Sequence, residues 1–162
     1  MYADYEQRIL KGLEDVSNQE RDLRLRVIQE AFTWINTPYI PHAKTKGKGT
    51  DCAMLMVAIY EKINALNGDE IVPDYSPDWS LHQNQELYLA KMMKYGIPTT
   101  TPKPGDVVMF RLGNAISHAG IFICWPLIIH AMNERGVILD DFTNGRMKDR
   151  ASMFFTAPWN RL

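Results

Sequence analysis

The chain predicts an α+β fold, on three observations. Helical spacing of apolar residues fills its first half, short β-prone runs fill its second, and the turn-forming stretch TPKPGD stands between them. Helices followed by strands, rather than alternating with them, argue for one antiparallel sheet packed by helices.

Taken in order, Tyr5, Ile9, Leu10 and Leu13 predict a short amphipathic helix ending near Gly12 or Ser17. Ser17, three residues before Glu20, forms a capping box for a second helix over about 18–36, with Leu23, Val27, Ile28, Ala31, Phe32 and Ile35 at helical spacing. Asn36-Thr37-Pro38 should stop it, because the residue before a proline avoids the α region. Over residues 39–50 the composition changes to Pro, His, Lys and Gly, which reads as an exposed loop, made basic by Lys44, Lys46 and Lys48.

From Cys52 to Leu66 the sequence is apolar almost all round at first, the pattern of a central buried helix, and Gly68 would cap its end. VPDYSPDWSLHQ reads as a loop, and residues 86–95 as a helix stopped by Gly96. About five strands should follow, at 107–112, 118–124, 127–131, 137–141 and 153–157.

The length of 162 residues and 46% apolar content suit a single domain spanning 1–162, with residues 1–16 as an N-terminal helical extension. A net charge of −1 provides no basic field for nucleic acid, and no apolar run is long enough to span a membrane. The opening MYADYEQRIL does not read as a signal peptide, so the expected location is the cytoplasm as synthesised. Two cysteines are too few for a disulfide framework.

Chemistry concentrates at the seam KGKGTDCAMLM. With Thr50 or Asp51 as N-cap, Cys52 falls in a helix's first turn, where unpaired N–H groups favour an anion and lower a thiol's pKa. Cys124 has no such setting and reads as packing. A nucleophilic thiol needs a base and an orienting group. Of the four histidines, His42 and His82 lie in loops, whereas His118 and His130 sit on consecutive β-runs. A three-residue hairpin at Cys124-Trp125-Pro126 would oppose Gly120 to His130 and bring both histidines to one face; a two-residue turn at Trp125-Pro126 would separate them. Cys52, His118 and His130 are also conceivable zinc ligands, but none belongs to a short paired spacing, so neither metal nor cofactor is expected.

The segments WINTPYIPHAKTKGKGTDCAMLM, KPGDVVMFRLGNAISHAGIFI and PLIIHA together resemble the NlpC-type cell-wall cysteine peptidases, most closely tail-associated members from bacteriophages and prophages. The resemblance runs from about Val27 to Gly136 and rests on three ordered motifs: TPY, Asp-Cys, and His-Ala-Gly followed twelve residues later by His-Ala. It implies a papain-like fold with the cysteine-bearing helix packed on the sheet.

By the same resemblance, Cys52 is the nucleophile, His118 the base and His130 its orienter, with Tyr39 supporting the oxyanion and Asp51 shaping the substrate site. The implied activity is hydrolysis of an amide in peptidoglycan stem peptides, of the γ-D-glutamyl-diaminopimelate type. Phage tail proteins are the implied partners, and delivery to the wall by a tail the implied route. Trp79, with Tyr75, is a candidate lining of the groove, and Lys48 a candidate contact for anionic wall polymer. The pattern departs from the family's frequent Asp-Cys-Ser-Gly at Ala53 and Met54, which bears on substrate preference. An amidase or acyltransferase acting elsewhere would use the same residues, and a tail component with a vestigial site would retain them.

Overall fold

The computed structural model describes residues 2–65 and 87–162. Its described helices are α1 (Glu6–Lys11), α2 (Asn18–Thr33), α3 (Cys52–Lys62) and α4 (Leu87–Tyr95). A two-stranded ribbon, β1 (Lys44–Thr45) and β2 (Gly49–Thr50), precedes α3. The remaining strands are β3 (Ile97–Thr99), β4 (Val107–Leu112), β5 (Ala115–Cys124), β6 (Leu127–Met132), β7 (Gly136–Asp141) and β8 (Ala151–Thr156). They form one antiparallel sheet in the order β3-β8-β4-β5-β6-β7.

Six strands stand where the sequence predicted about five. The added strand, β3, contains Pro98, which removes a ladder donor and would be excluded from a central strand. At the sheet's edge, where β3 lies, one side of the backbone needs no partner and proline is tolerated.

The cap of α2 forms as expected, the Ser17 hydroxyl accepting from the Glu20 N–H at 3.1 Å. The helix ends earlier than the apolar spacing suggested because the chain is claimed by the sheet. Asn36 adopts a positive φ of 71° and donates its N–H to the Val137 carbonyl at 2.9 Å, while the Val137 N–H donates to Thr37. Gly136 permits this approach: at φ +72° an added Cβ would lie 2.4 Å from the Thr37 carbonyl oxygen. The TPY segment is thereby fastened to the start of β7.

The main core lies between the helices and one face of the sheet, joining Ile9, Leu13, Val27, Leu55, Ile59 and Ile121. Residues of the N-terminal stretch are thus part of the same core as α3. The opposite face is filled by Val108, Phe110, Phe122 and Ile128, covered by Phe142 and Met147 from the loop after β7. α3 also stops short of the expected end, at Lys62, after which Asn64 takes a φ of 60°. The proposed cap Gly68 lies outside the described residues.

One polar tie across this core had no signal in the periodicity. Arg24, 2% exposed on α2, donates to Asp106 at 2.8 Å, the Pro104 carbonyl at 3.0 Å, Thr156 at 2.9 Å and Glu20 at 2.7 Å. Its guanidinium also lies 4.6 Å from the centre of the Trp159 ring. Burial raises the Asp106 pKa, and Arg24 opposes that rise. Arg24→Met should therefore destabilise the fold by about 3–5 kcal/mol, because it strands a buried carboxylate. Urea unfolding is the measurement, and the deficit should shrink as pH falls and Asp106 takes up a proton.

Candidate active site

The site is assembled where the β1–β2 ribbon runs into α3. Thr50 donates its N–H to the Pro38 carbonyl at 3.0 Å and accepts from Ile40 at 2.9 Å, which lays Tyr39 alongside the residue two before Cys52. Asp51 is the N-cap: one carboxylate oxygen accepts from the Met54 N–H at 2.9 Å and the other from the His42 N–H at 2.7 Å. Thus Asp51 both starts the helix and ties the preceding loop to it.

Cys52 is the first residue of α3 and is partly accessible. Its thiol lies 3.9 Å from the Ser117 carbonyl oxygen, and the Ala119 N–H also bears on the sulfur. The nucleophile candidate is therefore held against the β5 backbone on both sides of His118. From α4, the Tyr88 hydroxyl donates to the Cys52 carbonyl at 3.4 Å, a contact that no motif or spacing in the chain singles out.

A bulge produces this fit. The register changes from Phe110 opposite His118 to Arg111 opposite Ile116, leaving Ser117 as the extra residue on β5. Bulges turn a strand locally and commonly re-aim residues beside functional sites. Here the bulged residue's carbonyl meets the thiol and the next residue is the histidine.

The two histidines also meet through a bulge. Across the hairpin Cys124 opposes Leu127, so the turn is the two-residue Trp125-Pro126 alternative, which by simple alternation would have separated them. Ile123 is an extra residue, however, and beyond it Phe122 opposes Ile128 and Ile121 opposes Ile129. That register sets Gly120 opposite His130, with His118 diagonal to it on the same face. An added Cβ on Gly120 would stand 3.1 Å from the His130 Cβ, so the glycine leaves the room the pair requires.

His118 Nε2 lies 2.8 Å from His130 Nδ1. His118 is buried beside the Phe110 ring, and His130 has no exposed surface. On the far side of His130, Nε2 is 3.4 Å from an Asp140 carboxylate oxygen. Asp140 was not among the sequence candidates. Its signal is parity: Ile138 opposes His130, so Asp140 shares that face, but this is visible only once the β6–β7 register is known.

Electrostatics correct one expectation. Although Cys52 keeps some exposed surface, burial of its thiol, with Asp51 adding to it, pushes that group up to about 12, outweighing the N–H groups of Ala119, Ala53 and Cys52 that act the other way. Burial, reinforced by His130 and Arg146, holds His118 well below the usual histidine range. The resting pair is a neutral thiol and a neutral imidazole, not a preformed thiolate. Burial also raises the Tyr39 phenol, as do Cys52 and Asp51, which marks it as part of the same site.

Lys48 is exposed on the turn between β1 and β2. The basic loop as a whole is less available than expected: Lys44 bonds Glu61 on α3, while Lys46 bonds Glu30 and Thr33 on α2. Trp79, Tyr75 and His82 lie outside the described residues. Among the described residues, no group of three or more His, Cys, Asp or Glu side chains is arranged to hold a metal ion.

The NlpC/P60 family model matches residues 36–155, a stretch running from the turn before Tyr39 to β8. The chain belongs to the NlpC/P60 family. An NlpC/P60 assignment over that stretch includes every residue of the site just described. The chain is 23% identical over 129 residues to the Escherichia coli K12 protein named murein DD-endopeptidase MepS/murein LD-carboxypeptidase. That alignment takes in 80% of this chain and 60% of the relative, so the chain spans about three-fifths of the length of that curated protein.

Among solved structures, the NlpC/p60 domain of the peptidoglycan hydrolase SagA superposes with a TM-score of 0.55 at 16% identity, over 82% of this chain and 97% of that one. An NlpC/P60 family protein from Bacillus cereus gives 0.58 at 18% identity, over 83% and 40%. These likenesses establish the papain-like α+β fold of the NlpC/P60 domain.

The neutral pair fixes a pH expectation. His118 stays unprotonated well below pH 6.5 and the thiol stays protonated to about 12, so kcat/KM for any acyl substrate should be level between pH 6.5 and 9. A profile measured in constant ionic strength buffers checks it; a steep rise centred near 8 would indicate an ordinary thiol instead. The same burial costs stability in acid, because below about 6.5 the unfolded chain takes up a proton that folded His118 refuses.

Proposed function

We propose that this domain is a cysteine hydrolase of amide bonds in peptidoglycan stem peptides. The observation that carries the reading is the thiol of Cys52 held against the β5 backbone on both sides of His118, whose Nε2 is 2.8 Å from His130. His118 takes the thiol proton as the sulfur attacks the carbonyl carbon, then returns it to the leaving amine. Water attacks the resulting thioester with His118 again as base, releasing the acid and regenerating the thiol. The Cys52 N–H and the Tyr39 hydroxyl hold the oxyanion.

Family membership and the names of the relatives support peptidoglycan as the polymer. The bond we favour is γ-D-glutamyl-diaminopimelate, as the motif resemblance implies. The E. coli relative's name favours a second reading, a DD-endopeptidase or LD-carboxypeptidase cut. Mass spectrometry of fragments released from purified peptidoglycan, compared with Cys52→Ala, distinguishes them: the new amino terminus belongs to diaminopimelate in both endopeptidase cases, and the new carboxyl terminus to D-glutamate only in the first. No Cys52-dependent fragment of any kind would reject the hydrolase. Within this proposal the chain works from a phage or prophage tail, the setting its motifs most resemble; its absence from purified particles of the source strain would count against that setting.

A further inference from the structure

His130 presents an unresolved demand. Its ring is wholly buried, Nδ1 is engaged with His118, and among the described residues Nε2 has no hydrogen bond of good geometry. A buried ring nitrogen left in that state costs free energy. The group nearest to meeting it is the Asp140 carboxylate on β7, 3.4 Å away and about a quarter exposed. A small rotation of that side chain would complete the bond.

We propose that Asp140 is a positioning residue of this site, its carboxylate holding the proton of His130 on Nε2. With that tautomer fixed, His130 Nδ1 offers only a lone pair. His118 must then carry its own proton on Nε2, donating to His130, and its remaining Nδ1 lone pair is the one free to take the Cys52 proton. A single carboxylate thus determines, through two rings, which nitrogen of His118 is basic. When His118 becomes an imidazolium during attack, Asp140 also supplies the negative charge that a histidine orienter lacks.

The surroundings agree with this assignment. Asp140 lies below the usual carboxylate range, chiefly through the His130 ring beside it, with Arg135 contributing. Among the described residues, the charged or polar groups facing Asp140 are His130, the Arg135 guanidinium at 3.8 Å and the Asp141 N–H, which donates at 3.1 Å. Those acting on His118 are His130 and Arg146. Asp141 turns elsewhere, accepting from Thr143 and Asn144, and so serves as a control carrying the same charge one residue away.

This inference rests on the proposed roles of Cys52 and His118, but its test needs no cell-wall substrate. In the full chain, two-bond proton–nitrogen NMR correlations read the histidine tautomers, and iodoacetamide reads the rate of Cys52 alkylation at pH 7. The expected results are a wild-type His130 protonated on Nε2, and an Asp140→Asn protein in which that tautomer is mixed. Cys52 alkylation should slow by about 10- to 100-fold in that variant, the range seen when partners orienting metal-bound histidines are removed. Asp140→Glu should recover most of the rate, and Asp141→Asn should leave it unchanged.

A wild-type His130 protonated on Nδ1 overturns the proposal without any variant, as does an equal loss in Asp140→Asn and Asp141→Asn. With a wall substrate, kcat should fall and KM hold. If tautomer and alkylation behave as stated while wall digestion is absent, the positioning role stands and the peptidoglycan reading falls.

Discussion

Replacing Cys52 with alanine is expected to lower the release of stem-peptide fragments by about 10,000-fold or more, the scale on which loss of a nucleophile is felt. The expectation follows from where the sulfur is. At the first position of α3 it sits among the N–H groups of an open helix end, partly accessible, and lies against the backbone on both sides of His118. Alanine removes the sulfur but leaves Asp51 capping the Met54 N–H, so the helix start survives and the melting temperature should move by only a few degrees. A large loss of activity with an intact melt separates a chemical role from a packing one. Stoichiometric alkylation of Cys52 should reproduce the loss, whereas Cys124, packed in the core at the other end of β5, should react far more slowly. Fragment release that persists in Cys52→Ala at a tenth of the wild-type rate or more would sink the assignment.

What the sequence disclosed and what it withheld divide along physical lines. Ser17 and Asp51 are local caps, each satisfied by an N–H three residues on, so the starts of α2 and α3 could be read from neighbouring letters. The break from KGKGT to CAMLM likewise reports a local change, from the exposed turn of the ribbon to a buried helix. By strand alternation, the histidine pair was legible only as a choice between two hairpins. The structure takes the turn of one and the register of the other, because Ile123 adds a residue that no alternation rule can see. The Ser117 bulge, the early end of α2 at its bond to Val137, and the pairing of Lys44 and Lys46 with glutamates of α3 and α2 are all settled by segments far apart in the chain. The thiol is the sharpest instance: position at a helix start argued for a lowered pKa, but burial is a property of the whole fold, and it wins.

That outcome makes His118→Gln the second large effect, and a more discriminating one. The amide can still donate to His130 Nδ1, which spares the buried partner, but it cannot accept the thiol proton. At pH 7 the rate should fall by about 100- to 10,000-fold, the contribution expected of a general base. The size of the loss should depend on pH. With its thiol at about 12, the variant must wait for hydroxide to make the thiolate, so its rate should climb roughly tenfold per pH unit. The wild type should stay level over the same range, because His118, held well below the usual histidine range, is already unprotonated. The gap between the two proteins should therefore narrow steadily from pH 7 to 9, measured either as fragment release or as iodoacetamide alkylation of Cys52. Parallel profiles would mean that the thiol ionises without His118, and the histidine would then be a spectator rather than the base.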